Sequence, residues 1–394
     1  MAQGDGTPHG DGQARAASGA PTPRRLRTAL LGAGLVGQAG HAISLWEERE
    51  RFDFAVVVDL SATAREAVAA RFGVPTTRAT LTEALPLGLD AVVVAVPDPA
   101  HRDAVLTALR AGLHVLCEKP LALSLEECDE IIAARGDRVV QCGYMKLHDP
   151  AVQRMVELLR SGDPELVYLS VEVNDPDQAP FVDHLDLVAG TDVPVEIVAA
   201  TRARQAEAVR AALGTEPTAE QARAFEAYFS ALVHDVSLAH HLLGALGIRP
   251  PLPLADAALF DAGRGVSLAW RLPGGGRAHL EHLNLPGVAD YRERVTAYCR
   301  DRILELTFPS PYLRNHPTRL VERRSGRTPA GLITTEYRVS FQEAFRNELR
   351  AFHASATTGA PVRASVEGAR DDIAALLDAV RLAAGRQLTP SGST

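Results

Sequence analysis

At roughly 100–200 residues per domain, a chain of 394 residues is too long for one small domain, and with 46% hydrophobic and 23% charged residues it can bury its cores unaided. Its 41 basic and 49 acidic side chains leave a net charge of -8 with no basic block, which argues against a nucleic-acid partner. Four cysteines without CxxC spacing (Cys117, Cys128, Cys142, Cys299), and no apolar run near the ~18 residues of a membrane span, argue against a disulfide framework and a membrane protein; reduced thiols in a cytoplasm are expected.

Residues 1–24 are rich in Gly, Ala, Pro, Ser and Gln and read as a mobile tail. Arg24-Arg25 ahead of an uncharged stretch superficially resembles a twin-arginine export signal, but the same stretch reads better as a strand and a glycine turn. From Leu26 short apolar runs alternate with amphipathic stretches: LRTALL, Leu35 to Arg51, FAVVVD, Ala62 to Phe72, DAVVVAV, Ala100 to Ala111, HVLCE, Ser124 to Arg135. The runs are Val-rich and continuous, as in parallel strands buried on both faces, so residues 25–145 read as a doubly wound Rossmann α/β domain. Residues 146–394 read as an α+β domain with a large, mostly antiparallel open sheet. Its expected elements are a helix over 149–161, a strand from Leu166 to Asn174 and helical segments from Ala199 to Leu246. A meander follows through Val266–Leu272, Arg277–Leu285, Tyr291–Arg300 and Ile303–Phe308, then helices over 341–356 and 366–385. The last helix is free to pack back on the first domain.

Gly32-Ala33-Gly34-Leu35-Val36-Gly37 fits GxGxxG, directly after a strand and opening a helix. The first glycine makes the turn, the second admits a pyrophosphate, and the third lets helix pack on strand; the N–H groups of Leu35 and Val36 join the phosphate cradle. The second strand ends at Asp59, whose carboxylate suits the ribose hydroxyls and repels a 2′-phosphate. With no adjacent arginine and Arg65 a helical turn on, NAD is favoured over NADP. Glu118-Lys119-Pro120 places a lysine at the carboxyl end of a buried strand, where ligands of such sheets bind. Burial would favour proton transfer by Lys119, and pairing with Glu118 would oppose it.

GAGLVG, VAVPDPAH, AGLHVLCEKPLALS and GYMKLHDPA, in this order and spacing over residues 26 to about 160, resemble the Gfo/Idh/MocA family of nicotinamide-dependent oxidoreductases, named for glucose-fructose oxidoreductase and inositol dehydrogenase. The resemblance implies that Lys119 takes part in proton transfer and that Pro97 and His101, with Glu118, lie on the cofactor side. Ser230 to Gly244, SALVHDVSLAHHLLG, is similar to the family's second motif, so His234 aligns with an acid/base histidine. The carboxylate usually found four residues earlier is replaced by Ser230, which cannot stabilise an imidazolium; Asp235 or another acid must compensate, or the chemistry is altered. Lys146, Asp183, His184 and Ser230 are the substrate-side candidates, the middle two chosen by chemistry alone from the polar stretch Asn174–Asp186. Residues 191–228 exceed the length expected between these motifs and are the expected seat of substrate identity. No metal site is expected, since His234 and His241 are two turns apart and His240 points elsewhere.

The resulting expectation is an NAD-dependent dehydrogenase or reductase acting on a sugar, cyclitol or nucleotide-linked sugar. It forms a homodimer or homotetramer through the C-terminal sheet, because a meander with one apolar face needs a cover. Two other readings stay open: a redox-neutral enzyme that uses bound NAD transiently in epimerisation or elimination, and a non-catalytic NAD-binding sensor or partner.

Overall fold

The computed structural model describes residues 24–162, 164–326 and 331–387. The expected tail lies outside these residues except for Arg24, which pairs with Asp90 at 2.7 Å. The first sheet has six strands: β1 (Leu26–Leu31), β2 (Phe52–Val58), β3 (Thr77–Arg78), β4 (Ala91–Val94), β5 (His114–Cys117) and β6 (Val140–Cys142). Their order is β3-β2-β1-β4-β5-β6, with every pairing parallel. All four residues of β4, Ala-Val-Val-Val, are buried, as a strand covered by helices on both faces requires.

Register positions the chemistry. Leu31 is level with Val58 and with Val94, Val94 with Cys117, and Cys117 with Cys142. The next residue of each strand, Gly32, Asp59, Ala95, Glu118 and Gly143, therefore falls on one row along the carboxyl edge. Behind Gly32 the chain departs from expectation: the segment read as one helix to Arg51 is a π-helix over Gly37–Ala42 and an α-helix over Ile43–Glu47. Two glycines in GQAGHA weaken α-helical preference there, and Gly40 lies against Phe345, where a Cβ would come within 2.9 Å of the ring.

The second sheet has eight strands: β7 (Leu166–Asn174), β8 (Leu254–Phe260), β9 (Gly265–Arg271), β10 (Arg277–Leu283), β11 (Arg292–Cys299), β12 (Arg302–Phe308), β13 (Arg319–Ser325) and β14 (Leu332–Tyr337). The order β14-β13-β12-β11-β7-β10-β9-β8 corrects the uninterrupted meander. β7 is inserted between β10 and β11, parallel to the first and antiparallel to the second. A single-strand reading cannot reveal this, because β7 pairs with strands more than a hundred residues ahead.

Alternation buries Val171, Leu268, Trp270, Leu280, Val295 and Leu304 on one face. Helices Pro150–Arg160, Val233–Gly244 and Val366–Gln387 pack against the sheet, and the last also reaches helix Leu125–Ala134 and β6. The chain thus covers its own apolar face. The cover expected from a second copy is supplied within the chain, and the opposite, open face carries Tyr168 and Tyr298 in ring contact at 5.8 Å and an Arg294–Glu172 ion pair at 2.5 Å.

Candidate functional site

The glycine turn has the division of labour its spacing predicts. Gly32 adopts φ +103°, and a Cβ there would lie 2.2 Å from the carbonyl oxygen of Ala95; a Cβ on Gly37 would lie 2.2 Å from the carbonyl oxygen of Gly32. At Gly34 a Cβ would meet nothing within 4 Å, and Gly34 and Leu35 are exposed while Val36 is half-buried. The outer lip of the turn is free for a ligand. Asp59 accepts from the Ala33 N–H at 2.6 Å and the Ser61 N–H at 2.8 Å, leaving part of its acceptor capacity unused. Arg65 turns its guanidinium back to the carbonyls of Asp59 and Leu60, at 3.1 and 3.3 Å.

Glu118 is buried, and its partner is His41, 2.7 Å away on the π-helix behind the glycine turn. Burial pushes its carboxyl up, but the His41 hydrogen bond and the nearby charges of His41 and Lys119 outweigh this and leave it below the ordinary value. The Lys119 side chain instead donates to the main-chain carbonyl of Ser230 at 2.5 Å. The Lys119-Pro120 peptide is cis. His101 is fully buried, its ring between the carbonyls of Pro120 (2.6 Å) and Val96 (2.8 Å), so it ties the end of β4 to the Glu-Lys-Pro loop and does not line an open surface. Pro97, next to that anchor, is exposed.

Ser230 lies in a π-helical turn, Tyr228–Leu232, that leads into helix Val233–Gly244. It contributes its carbonyl, while its side chain has no role in holding Lys119. His234, four residues on, is half-buried and edge-on to Tyr144, with ring centroids 6.2 Å apart; its Nδ1 is enclosed without a partner. Burial, then the positive charges of Lys119 and Lys146, hold its imidazole well below its usual pKa, so it is neutral at physiological pH. The substitution at 230 thus leaves a histidine with two lysines and no carboxylate in its immediate field.

Asp235, on the same helix, is buried and accepts from Lys146 Nζ at 2.9 Å; Lys146 also lies 2.7 Å from Glu293 of β11. Burial opposes the charge of Lys146, but the two carboxylates outweigh it and raise its pKa. Burial in turn pushes Asp235 and Glu293 up against the pull of Lys146. Tyr291 donates to Glu293 at 2.5 Å, and the charges of Asp175 and of buried His282 act on this group. Tyr291, Glu293, Asp175 and His282 were not singled out in the sequence. Asp175 lies in the polar stretch already flagged, whereas Glu293 sits amid the period-2 pattern of a strand and gives no local signal. Asp183 and His184 are both exposed on a short 3₁₀ turn, Asp183–Leu185, outside this buried group. Among the described residues there is no cluster with metal-ligand character, and no helix is long and apolar enough to cross a membrane.

A six-stranded parallel sheet in this order, with a glycine turn whose outer lip is open at the carboxyl edge of its strands, is the architecture of a dinucleotide-binding fold. Residues 26–144 match the model of the Gfo/Idh/MocA oxidoreductase family, NAD-binding Rossmann fold. Inositol 2-dehydrogenase 3 of Saccharopolyspora erythraea is 34% identical over 140 residues, 35% of this chain and 41% of that protein. An inositol 2-dehydrogenase of Acidothermus cellulolyticus is 36% identical over 148 residues, 36% of this chain and 42% of that protein. The chain thus spans about two-fifths of the length of these relatives. The fold likeness runs along about nine-tenths of the chain. A UDP-N-acetylglucosamine 3-dehydrogenase from Acidithiobacillus ferrooxidans superposes with TM-score 0.66 at 20% identity, over 92% of this chain and 99% of that one. A 3-ketoreductase from Actinomadura kijaniata, solved with NADP and TDP-benzene, gives 0.67 at 17% identity, over 91% and 97%.

Proposed function

We propose that this protein is an NAD-dependent dehydrogenase or reductase that moves a hydride between a nicotinamide and a carbinol or keto carbon of a sugar, cyclitol or nucleotide-linked sugar. The observation that carries the reading is the docking of Lys119 on the segment that leads to His234: Lys119 Nζ donates to the Ser230 carbonyl, one turn before His234, and its charge acts on that ring. The residues present suit a dinucleotide. Gly34 leaves room for a pyrophosphate, the N–H groups of Leu35 and Val36 lie beside it, and Asp59 retains acceptor capacity for a ribose.

When bound, the nicotinamide supplies the hydride donor or acceptor. In the oxidative direction, neutral His234 accepts the hydroxyl proton of the substrate. Lys119 has three N–H donors and spends one on Ser230, so two remain to hold the substrate oxygen. In the reductive direction the proton returns along the same route. Lys146 ties Asp235 and Glu293 together, fixing the helix that carries His234. The four cysteines are free and buried, which suits a reducing cytoplasm, and the open face bearing Tyr168 and Tyr298 suits pairing with a second copy as a dimer or tetramer.

The test is turnover by Lys119→Ala and His234→Ala. Each should lower kcat by about 10²–10⁴-fold, the span for a positioned acid or base, with NAD still bound. Wild-type rates in both variants would remove the assignment. NADH accumulating in step with product supports net oxidation, whereas product without NADH points to transient use of the coenzyme.

A further inference from the structure

Residues 185–192 pack against Gln38 beside the glycine turn and against the helix that follows β2. The Gln38 side chain donates to the Val188 carbonyl at 2.9 Å and accepts from the Val188 N–H at 3.0 Å, while also donating to the Ala33 carbonyl in the glycine turn at 2.7 Å. Arg71 holds the Leu185 carbonyl at 2.7 Å. At Gly190 a Cβ would lie 2.7 Å from Cβ of Ser61, so the strap approaches closer than a side chain permits. At its end, the Asp192 carboxylate accepts from the Ser61 hydroxyl and from the N–H groups of Ala62 (2.8 Å) and Thr63 (3.2 Å). These donors open helix Ala62–Phe72, two to four residues past Asp59. The long stretch between the motifs, read from sequence as the seat of substrate identity, thus sends its first part to the cofactor domain.

A ribose held by Asp59 points its 2′-oxygen at the turn that follows β2, and a phosphate on that oxygen would need the donors at the start of the next helix. Asp192 already holds them. We propose that Asp192 is a specificity residue that selects NAD by occupying the place of a 2′-phosphate with the chain's own carboxylate. The inference rests on the dinucleotide reading above and extends it. NADP would have to displace a tethered anion, present at high effective concentration, and then stand between two carboxylates that flank Ser61. NAD has only a hydroxyl there and asks for none of these donors. The Ser61 hydrogen bond, joined by those from the backbone, holds the Asp192 carboxyl below its usual range, so the strap stays charged well below neutral pH.

The experiment measures Kd for NAD and for NADP, by calorimetry on the full chain, in wild type, Asp192→Ala and Gly190→Val. The second variant pushes the strap off Ser61 without altering the carboxylate. Wild type should prefer NAD. Both variants should gain NADP affinity by about tenfold or more, the scale of charge-assisted hydrogen bonds regained by a ligand, with NAD changed less than about threefold. Unchanged NADP affinity, loss of both coenzymes together, or tight NADP binding by wild type would each overturn the proposal while leaving the dinucleotide reading intact. Wild type that binds neither coenzyme overturns both.

Discussion

In the six-stranded sheet the residues of the proposed coenzyme site are the ones that leave β1, β2, β4 and β5, so strand register alone lines up Gly32, Asp59, Ala95 and Glu118. In the eight-stranded sheet the corresponding work falls to side chains: Asp235 from a helix, Glu293 and Tyr291 from the region of β11, and Asp175 past the end of β7, gathered around Lys146. One half lines up its candidate site by backbone geometry and buries a single charged pair, Glu118 with His41, behind it. The other builds it from buried charges whose mutual compensation is its main structural requirement.

That contrast can be broken first at Lys146. Lys146→Met would leave Asp235 and Glu293 buried without their cation, and the expected loss is about 3–5 kcal/mol of unfolding free energy by denaturant titration. A loss under 1 kcal/mol would mean the carboxyls are neutral and need no partner. On the other side, Asp59→Ala should weaken NAD by about 1.5–3 kcal/mol with a much smaller effect on NADP. Because Asp59 also holds Ala33 and Ser61, Asp59→Asn separates the ribose contact from the shape of the turn. Equal losses for both coenzymes would remove Asp59 from the ribose.

His148 offers a pH handle. Burial, with Arg363 and His241 nearby, depresses its pKa to about 3, and His241 falls to about 4. The unfolded chain protonates these rings near pH 6.5 and the folded chain does not. The stability tied to the depressed value is therefore fully present above pH 6.5 and is lost as pH falls toward the folded pKa. His148→Gln should therefore lose less stability than wild type between pH 6.5 and 5, by about 2 kcal/mol at 1.36 kcal/mol per unit. Parallel curves would mean that His148 is protonated in the fold. The smallest effect is expected of Ser230→Asp, which adds a carboxylate one turn from His234. It should move the acidic limb of kcat/KM up by about one pH unit, because a negative charge favours the imidazolium. A limb that stays in place would show that position 230 does not influence the ring.

The difference between the halves also explains what could be read in advance. Gly32 to Gly37 and the Val-rich strands announce themselves locally, because parallel strands buried on both faces and a tight glycine turn each impose a contiguous pattern, whereas Lys119 stood out only through the resemblance of its motif. β3 and β6, at two and three residues, are too short for any periodicity, and β14 is exposed along much of its length, so no alternation marks it. Glu293 is hidden because a charged residue on a strand normally faces water, and only the arrival of Lys146 makes its burial tenable. His41 was unreadable for the same reason: its importance depends on Glu118, which lies just past the end of β5 and far along the chain. Asp183 and His184 had the right chemistry, but they lie on an exposed turn, whereas Asp175 in the same stretch is drawn toward the cluster.

The place of β7 bears on how the molecule is made. This strand is synthesised well before β10 and β11, its neighbours on either side, so during synthesis both of its edges present unsatisfied N–H and C=O groups. Closure of the sheet waits for a segment that ends at Cys299, and such long-range pairing makes assembly of the C-terminal half the slow step, with the exposed strand as the point where chains would adhere to one another.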